Sequence, residues 1–149
     1  MPKTWILVAD SSVARIFVPK GPAGPLVEIE SLSHTASRLH DRDLASDRPG
    51  RTFDSMGAGR HSKELEVSPK EEEAVRFAEQ LAARVNSARA ANEINGLMLV
   101  AAPRFLGLLR QRLDPTTHKI VAFELDRDLT RLGAEEIRTH LPERLEGEG

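Results

Sequence analysis

The residues best suited to chemistry lie in one long segment, 34–64, which carries arginine, lysine, histidine and glycine between two regular patterns. Guanidinium groups bind phosphate through paired hydrogen bonds, and glycine lets a partner approach the backbone closely. Structureless segments of this length are uncommon in compact domains and are often functional. The segment predicts binding of an anion or an RNA backbone, and its candidate residues are Arg48, Arg51, Gly57, Gly59, Arg60, His61 and Lys63.

Two arginines of a later predicted helix, Arg104 and Arg110, extend this basic set. Pro103 opens that helix, and the free N–H groups of its first turn offer a further place for an anion. Residues 34–63 also contain four aspartates beside six basic residues, so internal ion pairs are as well supported as a partner. Phe53 is the only aromatic residue in the segment, which gives base stacking little support.

A catalytic interpretation depends on Asp10, which follows the first predicted strand. Two-metal nucleases gather several carboxylates to hold Mg²⁺. The fourth strand ends at Ala101 and Ala102, without an acid, so Asp10 is expected to cap a hairpin turn instead. The histidines show neither H-x-x-x-H nor H-E-x-x-H spacing, and Ser11 and Ser12 have no evident base. The sequence therefore predicts no catalytic residue, no metal and no cofactor.

Composition limits the class of protein. With 149 residues, one domain spanning 1–149 is expected, with the long loop 34–64 inside it. The net charge of −2 argues against binding nucleic acid by overall charge, but not against a local basic patch. No cysteine is present, which excludes disulfides and thiolate metal sites. No apolar run approaches the ~20 residues of a membrane span. A cytoplasmic location and no membrane partner are expected.

The periodicity predicts three strands, then the long loop, then helices alternating with strands. Ser68 and Pro69 mark a strong helix start, because serine caps the first turn and proline suits it. Pro142 interrupts the last helix. The predicted strands are 4–9, 13–18, 26–32, 97–101 and 119–125, and the predicted helices run from 69 to about 90, from 103 to 113 and from 133 to 145.

This order, βββ-loop-α-β-α-β-α, predicts an α/β fold of the ribonuclease H-like type with a mixed five-stranded sheet. The three strands joined by short links form an antiparallel meander. The fourth and fifth strands are expected to be parallel, because a helix connects them. The continuous apolar run of the first strand predicts a central position. The second strand is a possible exposed edge, and the oligomeric state is not indicated.

Three stretches resemble the bacterial host attachment protein family over nearly the whole chain. They are TWILVADSSVARIF, SDRPGRTFDSMGAGRH, and LMLVAAPRFLGLLRQRL followed by DLT. The element order is also similar to the middle domain of archaeal and eukaryotic peptide-chain release factors. In that domain a Gly-Gly-Gln tip emerges from the long loop. Here residues 57–60 read Gly-Ala-Gly-Arg, so the resemblance does not carry the hydrolytic activity across.

The resemblance implies a role in the attachment of bacteria to host cells. Our hypothesis is a non-catalytic protein that acts indirectly, through release-factor-like binding of ribosome or RNA by the Gly/Arg loop. One alternative is a hydrolase or nuclease acting on a phosphate-containing substrate. Another is a protein-interaction module or a direct adhesin.

Overall fold

The computed structural model describes residues 3–34 and 68–145. The strands are β1 (Lys3–Ala9), β2 (Val13–Pro19), β3 (Leu26–Ser33), β4 (Ile94–Ala101) and β5 (Val121–Leu125). The helices are α1 (Pro69–Ala90), α2 (Pro103–Arg112), α3 (Pro115–His118) and α4 (Ala134–Thr139).

The five strands form one mixed sheet in the order β3-β2-β1-β4-β5. β1 pairs antiparallel with β2, and β2 pairs antiparallel with β3. β1 pairs parallel with β4, and β4 pairs parallel with β5. This is the ribonuclease H-like arrangement, so the predicted α/β fold class is confirmed. The central position of the first strand is also confirmed, since residues 5–9 are all buried.

Side chains alternate between two cores on the two faces of the sheet, as the period of a strand requires. On one face, Leu7 and Leu99 pack with Phe77 and Leu81 of α1 and with α2. On the other face, Ile6, Val8, Phe17, Met98 and Val100 pack with the chain after β5, including Ile137, Leu141 and Leu145. The carboxyl ends of β1 and β4 therefore emerge between two layers of covering structure.

The predicted start of the first helix is confirmed. Ser68 Oγ accepts a 3.1 Å hydrogen bond from the N–H of Glu71, and Pro69 occupies the first turn. The predicted end near residue 90 is also confirmed, because α1 ends at Ala90. The chain reverses at Asn92, whose φ of 65° is left-handed, a conformation that asparagine tolerates better than most residues.

The predicted starts of two strands were wrong. β4 begins at Ile94, so Asn95 and Gly96 lie within the strand and do not end the connection. β5 begins only at Val121, because residues 115–118 form the short helix α3. Asp114 caps that helix, since its Oδ1 accepts the N–H of Thr117 at 2.8 Å. Hydrogen bonds from the backbone and the side chain of Thr117 hold the pKa of the Asp114 carboxyl below its ordinary value.

The last helix is also shorter than predicted. α4 ends at Thr139, not near 145. Pro142 cannot continue a helix, because its ring collides with the preceding turn. The guanidinium of Arg138 instead donates to the carbonyl oxygens of Pro142 and Glu143, at 2.8 Å each. Leu141 and Leu145 are still buried, so the segment packs on the sheet without helical structure.

The possibility that the second strand is an exposed edge was wrong, since β2 lies between β1 and β3. The edge strand on this side is β3, and α1 holds it in place. Arg84 of α1 forms two hydrogen bonds with Glu30 of β3, at 2.8 and 3.1 Å. The same guanidinium lies 4.9 Å above the ring of Trp5. The hydrogen bond from Arg84 holds the pKa of Glu30 below its ordinary value, while burial opposes this shift.

Candidate functional site

A groove of about 1010 Å³ crosses the sheet at the carboxyl ends of β1 and β4. We call it the edge groove. Its floor is the β1–β2 turn, residues 10–13, together with Ala102. One wall comes from the first turns of α1 and α2, and the opposite wall is residues 128–131 of the β5–α4 connection. Open α/β sheets bind ligands at this end of their strands, so the edge groove is the candidate site.

Asp10 holds the floor of the groove in place. Its Oδ1 accepts the backbone N–H groups of Ser12 and Val13, at 2.8 Å each. Its Oδ2 lies 3.4 Å from the hydroxyl of Thr130. The predicted turn-capping role of Asp10 is therefore confirmed. Ser11 and Ser12 stand beside it, half-buried, and both line the groove.

The wall formed by residues 128–131 depends on hydrogen bonds from two directions. Asp128 Oδ1 accepts the hydroxyl of Thr130 at 2.6 Å and its N–H at 3.0 Å. Arg15 of β2 donates to the carbonyl oxygens of Thr130 and Leu132, at 3.0 and 2.6 Å. This wall is thus fixed to the sheet, and it presents the exposed side chain of Arg131 at the groove.

Arg104 is the sequence-predicted site residue that the structure places on the groove. Its side chain is 81% exposed, and its closest ionic neighbour is Glu71, at 3.6 Å. It belongs to the first turn of α2, where Ala102 supplies no side-chain cap. Its N–H precedes the first helical hydrogen bond, from Leu106 N to Ala102 O at 2.8 Å. This turn therefore keeps donors available, as the sequence analysis expects.

The structure does not bring Arg110 together with Arg104. Arg110 faces β5, where its Nε lies 2.9 Å from Oε1 of Glu124. Both side chains are partly exposed, at 48% and 28%. The six-residue spacing of the two arginines turns them about 120° apart on the helix. Arg110 therefore lies on another side of α2 from the groove.

The other predicted binding residues lie outside the described residues. They are Arg48, Arg51, Gly57, Gly59, Arg60, His61 and Lys63. The two residues that bound this segment are described, and both lie at the edge groove. His34 donates its N–H to the carbonyl oxygen of Ser12 at 2.8 Å, and Ser68 lines the groove itself.

His34 is also held by its side chain. Its Nε2 lies 2.8 Å from Oε1 of Glu73. Its ring stacks on Phe77 with a centroid separation of 5.4 Å, and Phe77 in turn stacks on Phe105 at 5.9 Å. The start of the long segment is therefore fixed to α1, close to the groove.

Charges of both signs line the groove. The acidic side chains are Asp10, Glu71 and Asp128, and the basic side chains are Lys70, Arg104 and Arg131. Among residues 3–34 and 68–145, no three histidine, aspartate or glutamate side chains are grouped so that they could hold a metal ion. The arrangement is suited to holding a ligand by hydrogen bonds and by its arginines.

The sequence did not predict the wall at residues 128–131 or the role of Arg15. No motif spacing marks either feature. The only signal was the Asp-Leu-Thr stretch at 128–130, which contributed to the family resemblance without an assigned role. Thr130 approaches Asp10 only through folding, because the two residues are 120 positions apart in the sequence.

The fold and the groove define an α/β protein of ribonuclease H-like arrangement with a ligand-sized groove at the ends of its parallel strands. The family described as "Protein required for attachment to host cells" matches residues 5–141, and the chain belongs to this family. The family resemblance expected from the sequence is thus confirmed. None of the curated proteins matches the chain.

Two solved structures are similar in outline. The archaeal translation termination factor aRF1 has a TM-score of 0.49 and 10% identity, over 94% of this chain. The type II variant of the Aquifex aeolicus Ppx/GppA phosphatase has a TM-score of 0.40 and 9% identity, over 84% of this chain. The chain spans 35% of the length of each. Similarity to a release factor is thus found again, and at these scores it carries no conclusion about activity.

In the described part of the chain, no helix is both long enough and apolar enough to cross a membrane.

Proposed function

We propose that this protein is a non-catalytic RNA-binding member of the host-attachment family, that it acts on the ribosome or another RNA, and that it influences attachment indirectly. In this proposal residues 1–149 act as one domain in the cytoplasm. The binding surface consists of the basic residues between His34 and Ser68 together with the edge groove.

The observation that carries the proposal is the position of His34 and Ser68. These two residues stand on either side of the segment that bears the arginines and glycines. The N–H of His34 donates to the carbonyl oxygen of Ser12, and Ser68 lies on the α1 wall of the edge groove. Arg104 stands on the same wall with 81% of its side chain exposed. The segment that carries the other arginines therefore starts and ends beside the groove on which Arg104 is exposed, and exposed arginines favour phosphate groups.

Binding is favoured over cleavage because Asp10 is already engaged. Its Oδ1 accepts two backbone N–H groups at 2.8 Å each, while its Oδ2 lies 3.4 Å from the Thr130 hydroxyl, which donates to Asp128 at 2.6 Å. A carboxylate used in this way stabilises the turn. Within residues 3–34 and 68–145 it belongs to no group of three candidate ligands that could hold the metal ions of a nuclease.

The test is sedimentation with ribosomes and binding to a fluorescent RNA, each over a series of salt concentrations. We expect the double change Arg48→Ala and Arg51→Ala, and separately Arg104→Ala, to weaken RNA binding. Each lost phosphate contact lowers the slope of log K against log salt by about one. Arg76→Ala is the matched control, because Arg76 is an exposed α1 residue that does not line the groove. Absence of RNA and ribosome binding, or binding that salt does not change, contradicts the proposal.

A second candidate is a hydrolase acting on a phosphate-containing substrate. One observation favours it: Asp10 and Asp128 approach the same hydroxyl, that of Thr130, at 3.4 and 2.6 Å. This candidate predicts Mg²⁺-dependent cleavage of RNA or of a phosphate ester that Asp10→Ala abolishes. Substrate that stays intact after long incubation with the wild-type protein excludes it.

A further inference from the structure

We propose that the edge groove is a binding site for a nucleoside phosphate. In this arrangement the phosphate lies at the hydroxyl-lined floor and the base lies on the apolar part of the α1–α2 wall. The site goes beyond the proposed RNA docking, because it is formed by described residues and does not require the segment between His34 and Ser68. No sequence motif predicts this site, and the sequence predicts no small-molecule cofactor.

The size and position of the groove suit such a ligand. Its volume of about 1010 Å³ lies at the upper end of small-ligand pockets, which run from about 300 to 1,000 Å³. It lies across the carboxyl ends of the parallel strands β1 and β4, where ligands bind in open α/β sheets. A nucleotide fills such a space more completely than an inorganic anion does.

The floor offers hydroxyl donors that form no hydrogen bond within the described ranges of the chain. Ser11 and Ser12 are half-buried and line the groove. Their hydroxyl groups form no hydrogen bonds with residues 3–34 or 68–145. Asp10 fixes the turn that carries them by accepting two backbone N–H groups, so the hydroxyls are presented from a rigid element. Hydroxyl donors held in this way suit the oxygens of a phosphate.

Among the described residues, three acidic and three basic side chains line the groove, so an anion is recognised by individual arginine donors and not by net charge. Asp10 and Asp128 accept hydrogen bonds from the protein, through backbone N–H groups or the Thr130 hydroxyl, and Glu71 faces Arg104. Arg131, on the opposite wall, forms no ion pair within the described part of the chain. Within residues 3–34 and 68–145, the two arginines therefore keep donors for a ligand, and guanidinium donors match phosphate oxygens.

The apolar part of the wall selects a ligand with a flat, uncharged portion. Ala74, Phe105 and Leu108 line the groove beside Arg104. Phe105 is 4% exposed and supports this wall from the core, so the apolar surface open to a ligand belongs mainly to the half-buried Ala74 and Leu108. Inorganic phosphate alone leaves it in contact with water, whereas a nucleobase covers it and adds the favourable free energy of apolar burial. The same chemistry is available from a free nucleotide or from the phosphorylated end of an RNA strand.

Calorimetric titration with adenosine 5′-monophosphate tests the site. We expect saturable binding, with adenosine alone and inorganic phosphate alone each at least about tenfold weaker. Arg131→Ala, and the double change Ser11→Ala with Ser12→Ala, are each expected to weaken binding by about tenfold, the usual effect of losing hydrogen bonds to a charged group. Arg76→Ala is expected to leave binding unchanged. The fluorescence of Trp5, the only tryptophan, confirms that each variant is folded.

Competition identifies the source of the ligand. A 5′-phosphorylated RNA hexamer that displaces the nucleotide, while the 5′-hydroxyl hexamer does not, assigns the site to RNA ends. Displacement by neither hexamer assigns it to free nucleotides, and both results support the site. The inference is overturned if no saturable binding is seen up to about 10 mM nucleotide. It is also overturned if the groove variants bind the nucleotide as tightly as the wild type does. The double change Arg48→Ala and Arg51→Ala separates the two proposals, since it is expected to weaken RNA docking and to spare nucleotide binding.

Discussion

Arg15 Nη1 donates a 2.6 Å hydrogen bond to the carbonyl oxygen of Leu132 and a 3.0 Å hydrogen bond to that of Thr130. Through these two bonds, one side chain of β2 holds the wall of the edge groove against the sheet. The guanidinium is itself oriented by Glu28, at 2.9 and 3.2 Å, and it lies 5.0 Å from the centre of the Phe17 ring. Arg15 is therefore a positioning residue that does not line the groove.

The first prediction concerns this contact. Arg15→Met keeps much of the aliphatic stem but removes the guanidinium, so the carbonyl oxygens of Thr130 and Leu132, and the carboxylate of Glu28, lose their partner. We expect the free energy of unfolding to fall by about 1–3 kcal/mol, the range for losing hydrogen bonds to a charged group. Urea denaturation measures this change. Amide hydrogen exchange is expected to accelerate in residues 128–132 more than in α1.

Arg76→Met is the matched control for this experiment, since Arg76 is exposed on α1. A variant at position 15 that leaves exchange in residues 128–132 unchanged would show that other contacts hold this wall.

The second prediction concerns pH. The hydrogen bond from Arg84 holds the pKa of Glu30 below its ordinary value of 4.5. A carboxyl group with a lowered pKa in the folded state stabilises that state fully above its unfolded pKa. The stabilisation decreases as the pH falls below about 4.5 and is lost once the pH passes through the folded pKa. We therefore expect the free energy of unfolding to decrease with acidification in this range.

The contribution of Glu30 is isolated by Glu30→Gln, which removes the titrating group and keeps the size of the side chain. We expect this variant to be less stable than the wild type at pH 7 and to lose less stability on acidification. Urea denaturation followed by Trp5 fluorescence gives both stabilities, because Trp5 is buried in the folded protein and becomes exposed on unfolding. Parallel pH profiles for the two proteins would refute a role for this pair.

The third prediction uses two glycines with opposite surroundings. Gly107 lies inside α2, and a Cβ added there meets no atom within 4 Å. Gly107→Ala is therefore expected to raise the free energy of unfolding by about 0.5–1 kcal/mol, through helix propensity. A Cβ added at Gly24 would overlap the carbonyl oxygen of Lys20, in the turn between β2 and β3. Gly24→Ala is expected to destabilise the protein.

Thermal melting of the two alanine variants beside the wild type measures both effects. A lower melting temperature for Gly107→Ala would show that α2 needs glycine for close approach to a neighbour that the structure does not reveal.

Local patterns predicted the elements where a single feature of the sequence dominates. The apolar runs of β1 and β4 predict burial on both faces, and Ser68 with Pro69 strongly favours a helix start. The antiparallel meander, the parallel fourth and fifth strands and the central first strand followed as well, whereas the edge strand did not, since β3 and not β2 lies at that edge. The errors lie where short-range signals compete. Asp114 and Pro115 read as the end of α2, and they also begin α3.

The candidate site was predictable only in part, because its residues come from four separate parts of the chain. Arg104 was predicted together with Arg110, as a helix arginine that extends the basic set of the long segment, and only Arg104 lies on the groove. Thr130 and Arg131 carry no local signal that distinguishes them from ordinary polar residues of a connection. Thr130 is important because Asp10 and Arg15 contact it across the end of the sheet, and Arg131 follows it on the same wall.

The sequence by itself determined the fold class, the family and the basic character of the segment between His34 and Ser68. Periodicity, capping and composition act over a few residues and can be read along the chain. Only the tertiary structure decided that both bounds of this segment, the turn at Asp10 and the wall at Thr130 meet at one groove. That meeting depends on long-range hydrogen bonds and on packing on both faces of the sheet, and the spacing of residues along the chain does not encode it.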